Sequence, residues 1–471
     1  MAANFLHGVE TIEIESGSRT IQVVKSAVIG LVGIAPVGEV NTPVLVNSDR
    51  DAAQFGSKLP GFTIPQSLDA IFKQGAGTVI VVNIFDPVQH TTQVTDEAQL
   101  VTNGKIKLNA APIGNVAIND SNGDPVTYIA GTDYTLDNYG NFTVLSSTIA
   151  EGTALKFTYK KLNAAAITAA KLIGEIDSVT GNRTGMKCWD LSYNLYGFKP
   201  KILIAPGYSS MNAIATELVS MATRLRAVCY LDAPYGVTVS QAISGRSVAG
   251  TINFNTSSKR AELLYPHLKW YDTATDSNID FPYSAFKAGI RAAVDNNEGF
   301  WVSDSNHEIL GIVGAERNIS AGISDAQSDA NLLNEKGITT IFNSFGSGIR
   351  TWGNRNASFP VSTAPDNFVC VRRTADILLE SVEQATLQFM DKPINNALID
   401  AIKESVNSFI RTLIGRGALI DGKCTFDRSK NSNEQIAAGH LVFDISFMAP
   451  PAGERITFNS YIDINLLKSL K

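Results

Sequence analysis

A bound phosphate needs backbone N–H groups brought close by glycine, and Gly30, Gly33 and Gly38, at the end of an apolar run, offer a candidate cradle. The stretch has neither G-x-G-x-x-G spacing nor a closing Gly-Lys-Ser/Thr, so an ordinary strand-to-loop turn is the stronger reading. A nucleophilic serine is best approximated by Gly207-Tyr208-Ser209-Ser210, which lacks the second glycine of a strand-to-helix elbow. His307-Glu308 opens like a zinc-protease helix but has no second histidine four residues on, and His7, His90, His267 and His440 are scattered. Cys188, Cys229, Cys370 and Cys424 lie far apart without C-x-x-C spacing and read as buried free thiols. Spacing therefore points to no catalytic residue, no metal and no cofactor. A catalytic pair assembled only by folding stays open.

The totals narrow the classes further. A length of 471 residues suggests roughly three domains and ample core. Hydrophobic residues at 44% and charged residues at 18% are those of a folded chain. The 39 basic and 45 acidic residues leave a formal charge of −6 without a run of either sign, so direct nucleic-acid binding is not expected. The longest apolar stretch, 27–37, is interrupted by Gly30, Gly33 and Pro36, which argues against membrane insertion, and residues 1–10 do not have the pattern of a secretory signal. Synthesis and folding in a cytoplasm are expected.

The elements that would position such residues follow from hydrophobic period. Apolar runs at 27–34, 78–85, 201–205 and 227–231 suit strands buried on both faces of a mostly parallel sheet. Helices are expected at 65–74 and at 210–226, where Ile214, Leu218, Met221 and Leu225 recur at helical spacing. Residues 94–162 instead carry short segments (105–108, 126–129, 141–145, 154–159) between turn signals, as in a small β-sandwich or barrel inserted into an α/β body. A C-terminal α+β unit is expected from helices at 375–390 and 393–414, the second opening on Pro393 and stopping at Gly415 and Gly417. Alternating strands are expected at 440–450 and 455–467. The last of these, and the half-apolar segment holding Ile12 and Ile14 near the other end, have edges that invite pairing. Pairing within the subunit and pairing with a neighbour's sheet are both compatible with that pattern.

Several stretches resemble the contractile tail sheath family, which includes sheaths of myovirus-type phages, R-type bacteriocins and, more distantly, type VI secretion systems. They are HGVETIEIESGSRTIQVVKSAVIGLVGIAP (7–36), LLNEKGITTI (332–341), GIRTWGNRN (348–356) and RRTADILLESVEQATLQFMDKPI (372–394). The likeness covers most of the body and both ends and is weakest over 94–162; Asn356 stands where Thr or Ser is expected.

The resemblance implies a non-enzymatic structural subunit: an α/β body (21–93 and 163–360), an outward-facing inserted β domain (94–162), a tube-facing C-terminal α+β domain (361–454) and extended arms (1–20 and 455–471). It implies stacked six-fold rings of other copies around a tail tube protein, with baseplate and tail terminator proteins as further partners. The product is the tail sheath of a virion, assembled in the host cytoplasm and contracting without nucleotide hydrolysis to drive the tube through the host envelope. Carried onto this sequence, inter-subunit strand addition falls on Val9, Glu10, Thr11, Ile12, Glu13 and Ile14 and on Ile456, Phe458, Ile462, Ile464 and Leu466. The candidate tube-facing helix presents Asp400, Lys403, Glu404, Asn407 and Arg411. The rival readings are an α/β enzyme with the β insertion as a lid over a pocket of clustered titratable groups, and another phage structural or adhesin module.

Overall fold

The structure is a computed structural model that describes residues 21–469 except 76, 249, 253, 344, 345 and 347. An eight-stranded sheet forms its centre, in the spatial order Arg350–Trp352, Ile338–Phe342, Ala261–Leu264, Val228–Asp232, Ile202–Ile204, Val28–Gly33, Thr78–Asn83, Pro43–Val46. The six inner strands are parallel, and the two outermost are antiparallel to their neighbours. The apolar runs become strands here because both faces are covered. Val28 and Val32 point into one core with Ile80, Leu203 and Leu218, while Ile29 and Leu31 point into another with Val79, Ile202 and Phe286. Fully burying each such side chain contributes roughly 1.5–3 kcal/mol, and the branched Val and Ile side chains also favour the extended backbone.

Residues 91–162 make two three-stranded sheets. Thr91–Leu100, Ala154–Leu162 and Ile113–Asn119 form one, and Lys105–Lys107, Asn141–Val144 and Tyr134–Leu136 the other. Both feed one small core of Ile106, Phe142, Leu155, Phe157 and Tyr159. The strand expected at 126–129 does not form: Asp120 and Asp133 draw the flanking chain into turns by accepting backbone N–H groups from Asn122, Gly123, Asp124 and Ile129.

Beyond the sheet, helix Val369–Thr386 begins earlier than the expected 375 and passes under the N-terminal ends of the parallel strands. The next helix, Asn396–Gly415, starts after Pro393 rather than on it, because the Asn395 side chain accepts the Leu398 N–H at 2.8 Å and so caps the first turn. It packs on a two-stranded antiparallel sheet, Asp421–Thr425 against Asp444–Met448. Ile21, the first residue described, is buried in the same cluster as Leu413, Cys424 and Ala449.

Candidate assembly surfaces

The groups that could have carried chemistry have structural duties. Gly30 is glycine because a Cβ there meets Leu203 at 2.9 Å and Trp189 and Pro200 at 3.0 Å, leaving no space for a ligand. Ser209 is buried and donates to Asp232 at 2.9 Å; Ser284 donates its hydroxyl to the same carboxylate at 2.5 Å and its N–H at 2.8 Å. Asp232 thus caps helix Tyr283–Asn297, and burial pushes its carboxyl up from the ordinary range. Both serine hydroxyls are buried and donate to the carboxylate that caps this helix, so neither is presented at the surface. The four cysteines are free and buried, and burial pushes the Cys188 thiol up to about 11. Among the described residues no group of three His, Cys, Asp or Glu side chains could hold a metal ion. A cleft of about 690 Å³ lies between the 91–162 sheets and the body, but its charged lining is only Lys107 and Lys161.

Charge is concentrated elsewhere, under the sheet. Lys287 Nζ lies 3.1 Å from both Glu262 and Asp304, all three buried, and Arg291 sits between Asp295 at 2.6 Å and Asp304 at 3.7 Å. Burial opposes the charge on Lys287, yet the two carboxylates hold its ammonium above the usual lysine range. Burial pushes the Glu262 carboxyl up, with Lys287 pulling the other way. Three residues of helix Val369–Thr386 extend the network: Arg373 pairs with Asp295, Asp376 with Arg260, and Glu380 with the buried Lys201. Arg373 also donates to the carbonyls of Ser26 at 3.1 Å and Lys201 at 3.3 Å, just ahead of two parallel strands. These contacts fasten the C-terminal helix to the body; no pattern in the sequence marked them, since the partners are distant along the chain.

The residues expected to join neighbours are placed as follows. Val9, Glu10, Thr11, Ile12, Glu13 and Ile14 lie outside the described residues. Ile456, Phe458 and Ile462 sit in a stretch that belongs to no strand or helix, with relative exposures of 76%, 88% and 105%. Ile464 and Leu466, expected in a strand, fall instead in the short 3-10 helix Ile464–Ser469, because an isolated apolar stretch has no ladder here to hold it extended. Sequence reasoning missed the root of this segment. Glu454 is held by Arg355, whose guanidinium stacks on Phe368 with 3.6 Å to the ring centroid. Asn356 is buried, and its amide reaches the Asp366 carbonyl and accepts from Ser358, so the local turn is kept.

On helix Asn396–Gly415, Asp400, Glu404 and Arg411 are exposed, Lys403 is half-exposed and pairs with Asp400 at 2.8 Å, and Arg411 lies 3.8 Å from Glu404. Asn407 departs from the expectation of a fifth outward residue, since its side chain is turned to the backbone of Cys424. The sheet beneath has two strands only, among the described residues. Two strands alone are marginal in water, and this pair is supported by the helix on one face.

Residues 181–357 match the phage tail sheath protein central domain, and 362–463 the phage tail sheath C-terminal domain. The chain is 50% identical over 477 residues to the tail sheath protein of Burkholderia phage BcepMu, covering 100% of this chain and 99% of that one. It belongs to the phage tail sheath family. A second sheath relative, the tail sheath protein of Escherichia phage P2, is 26% identical over 473 residues, covering 99% of this chain and 98% of its own. The helical sheath of the anti-feeding prophage, solved in its contracted state, shares the fold of this sheath chain with a TM-score of 0.60 at 15% identity, covering 98% of this chain and 100% of that one.

Proposed function

We propose that the chain is the repeating subunit of a contractile tail sheath, polymerised as stacked six-fold rings around a tail tube and shortening without nucleotide hydrolysis to drive the tube through a host envelope. One observation carries this reading: the segment 455–463 leaves Ile456, Phe458 and Ile462 exposed, and the C-terminal sheet has two strands only, among the described residues. A monomer gains nothing from leaving Ile456, Phe458 and Ile462 in water, whereas a polymer buries them. Strand addition from other copies satisfies both halves, with Val9–Ile14 as the second donor. Family membership supports the same reading.

In this arrangement the α/β body comprises 21–93 and 163–360, the β domain 94–162 faces outward, and 361–454 faces the tube through Asp400, Lys403, Glu404 and Arg411. A head-to-tail contact that does not close makes a helix, and arms exchanged between copies keep subunits linked while their bodies shift. The free energy of shortening is the difference between two sets of interfaces, a small gain per subunit multiplied by the number of subunits. The subunit catalyses no reaction, takes no cofactor and ends in the virion tail after assembly in the host cytoplasm, alongside tube, baseplate and terminator proteins.

Electron microscopy of the purified full-length chain tests this. Tubes of regular helical symmetry are expected without other components; a dispersed protein, or shortening that requires ATP, contradicts the proposal.

A further inference from the structure

The two edges of the C-terminal sheet are not equivalent. Asn407 Oδ1 accepts the Cys424 N–H at 2.7 Å, and its Nδ2 donates to the Cys424 carbonyl at 3.0 Å. That is the hydrogen-bond pattern an adjoining strand makes with one residue of an edge, here supplied by a side chain. The Gly422 N–H donates to the Asp421 carboxylate at 2.8 Å. Gly422 and Cys424 are alternate residues of Asp421–Thr425 and therefore share one edge, and side chains already occupy it.

Strand alternation then fixes the other edge. Cys424 lies opposite Ile445 and Gly422 opposite Phe447. Because the Cys424 backbone points away from its partner strand, Cys424 and Ile445 form a non-hydrogen-bonded pair, and the backbone groups of Ile445 point outward on the far side. Those of Phe447 do the same. Among the described residues no strand pairs with that edge.

We infer that Asn407 selects the edge: strand addition occurs only along Asp444–Met448, on the backbone of Ile445 and Phe447, and its occupant is the 455–463 segment of a second copy of this chain. The inference rests on the strand-addition reading above and specifies its site. The occupant fits because 455–463 is free of helix, strand and turn, apolar at Ile456, Phe458 and Ile462, and nearly fully exposed. Among the described residues of its own subunit no strand pairs with it: Glu454 is anchored to Arg355 on the body and the chain beyond is exposed. Any further strand must then pair with the incoming segment, not with Asp421–Thr425, so neighbours join in a fixed order.

Residue-resolved hydrogen exchange on the full-length chain, dispersed and assembled, tests this. On assembly the Ile445 and Phe447 amides are expected to slow by roughly a hundredfold or more, while Cys424 and Gly422, already bonded, stay nearly unchanged. Slowing at Gly422 and Cys424 without slowing at Ile445 and Phe447, or equal slowing on both edges, overturns edge selection while leaving strand addition standing. Tubes in which neither edge slows overturn both. Asn407→Leu is expected to speed Cys424 exchange in the dispersed chain by roughly tenfold and to give irregular, widened assemblies, whereas Asn407→Asp, which keeps the acceptor, still forms tubes. Regular tubes from Asn407→Leu with protection on the Asp444–Met448 edge alone show that Asn407 does not choose the edge.

Discussion

Arg355 and Glu454, 99 residues apart in sequence, meet at the point where the chain leaves the body, with the guanidinium Nε 3.2 Å from the carboxylate. Arg355 also lies over Phe368 and bonds the Asn367 side chain. The two ends of the contact therefore do different work. Arg355→Ala removes stacking and hydrogen bonds from a largely buried site and is expected to lower stability by about 1–2 kcal/mol in urea unfolding. Glu454→Ala touches a partly exposed group and is expected to leave stability within about 0.5 kcal/mol while lowering the yield of tubes. Equal effects of both variants on unfolding contradict this division.

Lys287 is the cation paired with Glu262 and one of two beside Asp304, the other being Arg291. Lys287→Met leaves the buried Glu262 without its cation and Asp304 with Arg291 alone, and is expected to destabilise the chain by roughly 3–5 kcal/mol, with Lys287→Met/Glu262→Gln recovering part of the loss. Because the folded-state pKa of Lys287 is raised, its contribution is fully present below the ordinary lysine value and is lost as pH rises through the folded value. An unfolding midpoint for Lys287→Met equal to that of the parent at neutral pH rules this out.

Acid should open the 91–162 sheets at their turns first. Asp120 takes N–H groups from Asp124, Asn122 and Gly123, and Asp133 takes the Ile129 N–H and two hydroxyls, which hold both carboxyls below the ordinary aspartate range. A depressed folded-state pKa stabilises above the unfolded value of about 3.9, and that stability disappears as pH falls through the folded value. Pepsin cleavage within 120–134 is expected to rise steeply as pH is lowered from about 4 to 2, ahead of cleavage in the central sheet. Uniform cleavage along the chain would contradict the ordering.

Charge reversal on the long C-terminal helix separates tube contact from folding. Lys403→Glu with Arg411→Glu alters exposed pairs and is expected to change stability by no more than about 0.5 kcal/mol each. Cosedimentation with preformed tubes is expected to fall several-fold; unchanged loading counts against a tube-facing role.

Much of the α/β body was legible because buried parallel strands leave unbroken Val/Ile runs, as at Val28–Gly33 and Thr78–Asn83. The helix Asn212–Leu225 was legible for the corresponding reason, its apolar period. Helix Tyr283–Asn297 was not, since its buried face includes Ser284, Lys287 and Arg291, polar residues whose partners come from other elements. Strand Asp421–Thr425 escaped notice because DGKCT has no alternation: a glycine packed under Ile410 and a cysteine bonded by Asn407 hold it in place. The apolar tail was readable as unsatisfied, yet its anchor at Arg355 was not, because an ion pair across 99 residues leaves no local mark.

The ion pairs of Arg373, Asp376 and Glu380 also define a load path. Tension applied to strand Asp444–Met448 would pass through the packed helices into Arg260 and Lys201, each just ahead of a parallel strand, and into Asp295 near the end of helix Tyr283–Asn297. A pull from outside is thus spread over several parallel strands at once, loading them together instead of peeling one from an edge.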